Sequence, residues 1–137
     1  MSTRTNKQES LDIYKVAFPF SVYLCQIVKN FDRGFKFVVG DDIIKAANAM
    51  RRYIIAANNE VNKGKSARLV YECLNQADII DDLTSLALEL GQISIEQKAI
   101  CDTNIIEIKN HGKRWRKYFL RINGQSADSD MESAESL

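Results

Sequence analysis

Apolar residues recur at alternating intervals of four and three in four separate stretches. That spacing keeps them on one side of an α-helix and cannot line one face of a β-strand. In residues 101–122 the seam is Cys101, Ile105, Ile108, Trp115, Phe119 and Ile122, with Gly112 filling one step. The first stretch repeats the interval at Ile13, Ala17, Phe20, Leu24, Ile27 and Phe31, and adds a second stripe of Leu11, Tyr14, Phe18, Val22 and Cys25. The second carries Ile43, Ala47, Met50, Ile54, Ala57 and Val61, and the third Leu69, Cys73, Ile80, Leu83, Ala87 and Leu90. Four amphipathic helices are expected, near residues 10–31, 41–63, 66–90 and 94–121.

Boundary signals agree with four segments. Asn30-Phe31-Asp32-Arg33-Gly34 stops the first helix, and residues 35–39 read as a packed aromatic loop. Asp41 or Asp42 is placed to cap the second helix. Asn62-Lys63-Gly64-Lys65-Ser66 is a short connection, Gly91 ends the third helix, and Ser94-Ile95-Glu96-Gln97 matches a capping box that opens the fourth. Pro19 lies inside the first segment, so that helix either kinks there or restarts at the proline. Short connections between long amphipathic helices predict an all-α fold, an antiparallel up-down-up-down four-helix bundle over residues 10–122. A flexible N-terminus is expected at residues 1–9, and a disordered acidic tail at 123–137.

The chain has 137 residues, enough for one domain with a core of its own. Its net charge of +1 is unevenly spread, because residues 125–137 hold Asp128, Asp130, Glu132 and Glu135 and no cation. Removing those four negative charges leaves +5 on residues 1–124, a modestly basic body suited to nucleic acid or an acidic partner. Cys25, Cys73 and Cys101 are well separated and each sits on an apolar stripe, which reads as buried, reduced thiols. No uninterrupted apolar run reaches the roughly 18 to 20 residues of a membrane span, and no signal-peptide pattern opens the chain. A cytoplasmic protein with no membrane partner is expected.

Motifs for catalysis are sparse. His111 is the sole histidine and reads as a surface residue, and neither a zinc-protease pair nor a di-iron Glu-x-x-His set occurs. Gly64-Lys65-Ser66 resembles the end of a phosphate-binding loop, but Asn59 stands where its first glycine is required. Asp78, Asp81 and Asp82 form an acidic arc, read as a solvated face or as an edge meeting Lys45 and Arg52 of the second helix. No enzyme, cofactor or metal is expected.

The charged feature that stands out flanks the last seam. Lys109, Lys113 and Arg116 run along one edge and Arg114, Lys117 and Arg121 along the other, six cations in thirteen residues. Two or three would suffice to complement a helix C-terminus. Six of them straddling Trp115, with arginines able to make bidentate phosphate contacts, point to an anionic partner. Lys45, Arg51 and Arg52 of the second helix are expected to join them in one surface. Because these side chains flank the seam, replacing Arg114, Arg116 and Lys117 is expected to leave the fold intact, and the acidic tail is expected to compete for their surface.

Several cues occur in an order that resembles the accessory variability determinants of diversity-generating retroelements. They are Ile13-Tyr14-Lys15, Val39-Gly40-Asp41, Ala56-Ala57-Asn58-Asn59-Glu60, Leu90-Gly91-Gln92-Ile93-Ser94 and Gly112-Lys113-Arg114-Trp115. The resemblance covers about residues 11–122. It implies a four-helix bundle without chemistry of its own that binds the element's reverse transcriptase and its template-repeat RNA or cDNA, supports mutagenic cDNA synthesis and assembles as a homopentamer. A bundle protein encoded by intervening sequences of ribosomal RNA genes is the near alternative. A protein-only oligomeric scaffold is the alternative of a different class.

Overall fold

The computed structural model describes residues 5–124, all of whose regular structure is helical. Four long helices pack against one another: α1 (Asn6–Lys29), α3 (Asp41–Asn59), α4 (Lys63–Glu89) and α5 (Ile95–Ile122). A short helix, α2 (Arg33–Phe35), and a π-helical turn (Lys36–Gly40) lie between α1 and α3. The contacts run in a cycle, α1 to α3, α3 to α4, α4 to α5 and α5 back to α1. Helices α3 and α5 therefore occupy opposite corners, with no backbone approach within 8 Å, and so do α1 and α4.

The four predicted seams form the core. Ile13, Ala17, Leu24, Ile43, Met50, Ala57, Cys73, Ala87, Cys101, Ile108, Trp115 and Phe119 are all fully buried. Their outermost members are not: Val61 follows the end of α3 and is 89% exposed, and Leu90 and Ile122 are exposed as well. Gly112 fills its step in the seam for a steric reason. A Cβ there would press into Leu74 Cδ2 and stand 3.1 Å from Leu74 Cγ, so the missing side chain lets α4 and α5 close on each other.

Several boundaries differ from the sequence expectation. The N-terminal residues are not frayed from Thr5 onward. The Thr5 hydroxyl accepts from Gln8 N at 3.1 Å and Gln8 Oε1 accepts from Thr5 N at 2.8 Å, a capping box that starts α1 at Asn6. The helix then continues through Pro19 without restarting. Residues 35–39 are helical and not a loop, and they feed straight into α3. Neither Asp41 nor Asp42 is a cap, since Gly40 before them is already helical. A Cβ on Gly40 would meet Val28 Cγ1 at 2.7 Å, so glycine allows this turn to lie on α1. Asn62 caps α4, taking Lys65 N at 3.0 Å, which absorbs most of the expected connection into the helix.

Other boundaries are as read. Gly91 has φ of 72°, and the Ser94–Gln97 capping box is present in both directions. By length and composition alone α1 could cross a membrane, but its inner stripe is packed in the bundle core. The acidic residues of the tail lie outside the described residues.

Candidate nucleic-acid interface

The register between α4 and α5 is fixed by three polar contacts and one aromatic contact. Lys98 Nζ reaches Asp81 Oδ1 at 2.8 Å and Thr84 Oγ1 at 3.0 Å, and also pairs with Asp102 at 2.8 Å. Lys109 Nζ meets Asp78 Oδ1 at 2.7 Å. Farther along α5, Arg116 lies over the Tyr71 ring at 5.5 Å. The acidic arc of α4 therefore meets cations of α5, not Lys45 and Arg52 of α3. Burial acts to lower the Lys98 pKa, but the hydrogen bonds and charges of Asp102 and Asp81 outweigh it and hold the ammonium above its ordinary value.

These pairings sort the six cations from Lys109 to Arg121 into three groups. Arg114 turns toward α1, where Nε lies 3.1 Å from the buried Glu9 carboxylate, Nη2 3.6 Å from Asp12, and Nη2 2.8 Å from His111 Nδ1. Lys109 and Arg116 turn toward α4, and Arg116 is only 5% exposed. Lys113, Lys117 and Arg121 point outward, one turn apart along a single line, and make no ion pair among the described residues.

Two sequence expectations change as a result. Arg114 and Arg116 are engaged across helix boundaries, with α1 and with α4, and do not stand free beside the seam. The nine-cation surface is also not one surface. Lys45 and Arg52 are exposed on α3, the corner opposite α5, and Arg51 is half-buried beside them, held by Asn48 Oδ1 at 2.7 Å.

The folded chain adds residues that seam spacing did not single out. Arg68 Cζ lies over the same Tyr71 ring at 4.9 Å, so one aromatic gathers a guanidinium from each of two helices. Arg68 also pairs with Glu72 at 3.1 Å. Lys63 and Lys65 are in the same first turns of α4, and Lys63 stands over Phe119 at 5.5 Å. The start of α4 and the end of α5 thus form one basic end of the bundle, while the end of α4 and the start of α5 carry Asp78, Asp81, Asp82, Glu89, Glu96, Asp102 and Glu107. Sequence held the signal for this: the charge changes sign midway along both helices, in opposite order.

The remaining candidates are structural. Trp115 is fully buried, with Nε1 donating to Asn6 Oδ1 at 2.9 Å. His111 is half-buried next to Arg114. The Ser66 hydroxyl donates to the Glu60 and Asn62 carbonyls at 3.2 Å, so it is committed to the α3–α4 junction. Cys73 and Cys101 are buried, and burial pushes their thiols up to about 12 and about 11. Cys25, expected inside, is exposed. Among the described residues no cluster of three or more metal-ligating side chains occurs. Compared with known protein families, curated proteins and solved structures, the chain matches none.

Proposed function

We propose that this chain is a non-enzymatic, RNA-binding accessory protein of a diversity-generating retroelement, acting in the cytoplasm with the element's reverse transcriptase and its template RNA. Its helices would run antiparallel, up-down-up-down, and its assembled form would be a homo-oligomer, a pentamer in the resembled family. The observation that carries the RNA reading is the basic end of the α4–α5 face. The exposed Arg68 lies over Tyr71, which the buried Arg116 holds from the α5 side, and Lys113, Lys117 and Arg121 stand outward on the same end, so accessible cations are gathered next to an aromatic ring. Lys45 and Arg52, exposed on α3, belong to a separate contact, for which the reverse transcriptase is the proposed partner.

The test replaces Lys113, Lys117 and Arg121 with Ala and measures RNA binding across a salt series. Each lost phosphate contact should reduce the log–log salt slope by about 0.7 on single strands. An unchanged slope and affinity would reject this face. The exposed apolar stripe of α1 favours a second reading, a protein-only scaffold, which predicts no salt-dependent RNA binding from the unaltered chain.

A further inference from the structure

Two surfaces of this molecule are complementary to each other and cannot meet within one chain. The first lies along α1 and α3. Leu11, Phe18 and Val22 on α1 are 47%, 50% and 43% exposed, and Ile55 on α3 is 49% exposed. Between the helices run two shallow grooves. One, of about 380 Å³, is lined by Phe18, Val22, Cys25, Lys29 and Arg51, and the other, of about 300 Å³, by Lys7, Leu11, Tyr14 and Ile55. Lys7, Leu11, Phe18, Val22 and Lys29 follow one line of α1, so the apolar stripe is closed at both ends by a cation. No acidic side chain lines either groove.

The second surface is the outer side of the C-terminal half of α4. Ile79, Leu86 and Leu90 are 43%, 44% and 36% exposed and recur at seven and four. Along their edge stand Asp82 and Glu89, both exposed and neither in an ion pair among the described residues. From Ile79 to Leu90 is eleven residues, as from Leu11 to Val22, so each apolar run extends about 16 Å along its helix. Since α1 and α4 occupy opposite corners of the bundle, these faces point away from each other.

We infer that the occupant of the α1–α3 groove is a second copy of this chain, which lays Ile79, Leu86 and Leu90 of its α4 against Leu11, Phe18 and Val22, with Asp82 and Glu89 toward Lys29 and Arg51. The inference rests on the self-association proposed above and adds which faces meet. The contact is heterologous: each copy offers a groove to one neighbour and a ridge to another, so assembly does not stop at an isologous pair. Apolar stripes supply the burial, and the opposed charges fix which face is accepted. The basic end of α4 and α5 stays outside this contact.

Charge reversal tests it without RNA. The groove variant is Lys29→Glu with Arg51→Glu, the ridge variant Asp82→Lys with Glu89→Lys, and the double-swap variant carries all four. Sedimentation of the unaltered chain at 100 µM or so should give a multiple of the 15.6 kDa protomer. The groove and ridge variants alone should each fall to the protomer mass, a mixture of the two should associate with the variants in equal numbers because only unlike neighbours match, and the double swap should assemble by itself. Circular dichroism checks that each variant is folded, and Phe18→Ser provides a groove lesion that leaves Arg51 untouched and should also give protomers. A ridge variant that keeps the full assembled mass would overturn this interface while leaving self-association standing. A monomeric unaltered chain would overturn both.

Discussion

Arg114 Nε on α5 lies 3.1 Å from the carboxylate of Glu9 on α1, a side chain with only 2% of its surface exposed. A buried carboxylate near the start of one helix and a half-exposed guanidinium near the end of another tie the first and last elements of the fold together. Removing the arginine takes a charged hydrogen-bond partner from a carboxylate that is held away from water, whereas removing the carboxylate's charge leaves an arginine that can turn to solvent. Arg114→Ala should therefore destabilise the protein by about 1 to 3 kcal/mol, and more than Glu9→Gln, by thermal or urea melting. Equal, near-zero effects would show that the pair contributes nothing to the fold.

Trp115 is held by packing and by one hydrogen bond. Trp115→Ala should cost about 3 to 5 kcal/mol, as truncation of a buried aromatic does. Asn6 accepts from Trp115 Nε1 at 2.9 Å and donates from Nδ2 to the Asn58 carbonyl at 3.2 Å, bridging α5 to the end of α3. Asn6→Ala should thus cost about 1 to 2 kcal/mol, well above an ordinary terminal substitution. Measuring Trp115→Phe with and without Asn6→Ala would isolate the hydrogen bond, and additive effects would rule out its contribution.

Gly112→Ala sets two effects in opposition. Alanine in a helix interior is favoured over glycine by about 1 kcal/mol, but the new methyl must displace buried Leu74, and overpacking costs about 1 to 3 kcal/mol. The steric effect should win, giving a net loss near 1 kcal/mol, and Leu74→Ala should reduce the penalty in the double variant. A stabilised Gly112→Ala protein would contradict the close α4–α5 approach.

Alkaline pH should weaken the fold. Cys73 and Cys101 have folded-state values of about 12 and about 11 because burial disfavours the thiolate. An unfolded thiol ionises near 8.5 or so. The unfolded state therefore sheds protons first, and the stabilisation by these thiols is full below that value and lost as pH rises toward the folded values. Lys98 acts with the same sign at higher pH, since its folded value is also raised. Urea midpoints should fall from about pH 8.5 upward, and Cys73→Ala with Cys101→Ala should flatten the early part of that fall. A midpoint constant to pH 10 or so would refute the burial of both thiols.

Thiol labelling at neutral pH should distinguish the three cysteines. Cys25 is exposed in the α1–α3 groove, while Cys73 and Cys101 are enclosed. One thiol per chain should react under native conditions and three after unfolding. Assembly through the proposed groove should slow the first, and more than one native reaction would contradict the core assignment.

The seams were legible because helical burial repeats every three to four residues, and each long helix carries one wide apolar stripe. So were the Ser94–Gln97 cap, the glycine end at Gly91 and the burial of Trp115, all set by spacing within a single segment. The Thr5–Gln8 cap was equally local, but the polar composition of the first residues masked it. Partnership was not legible. Arg114, Arg116 and Lys117 look alike in sequence, yet one meets Glu9 across 105 positions of chain, one lies over Tyr71, and one faces outward. Likewise Lys45 and Arg52 fall on the corner opposite α5, because the order in which helices close a bundle decides which faces share a side. The sequence by itself determined four helices and the residues they bury, since these follow from the period of a single chain segment. Only the tertiary structure decided which charges are spent on the fold and which remain for a partner, because that depends on which helix stands opposite.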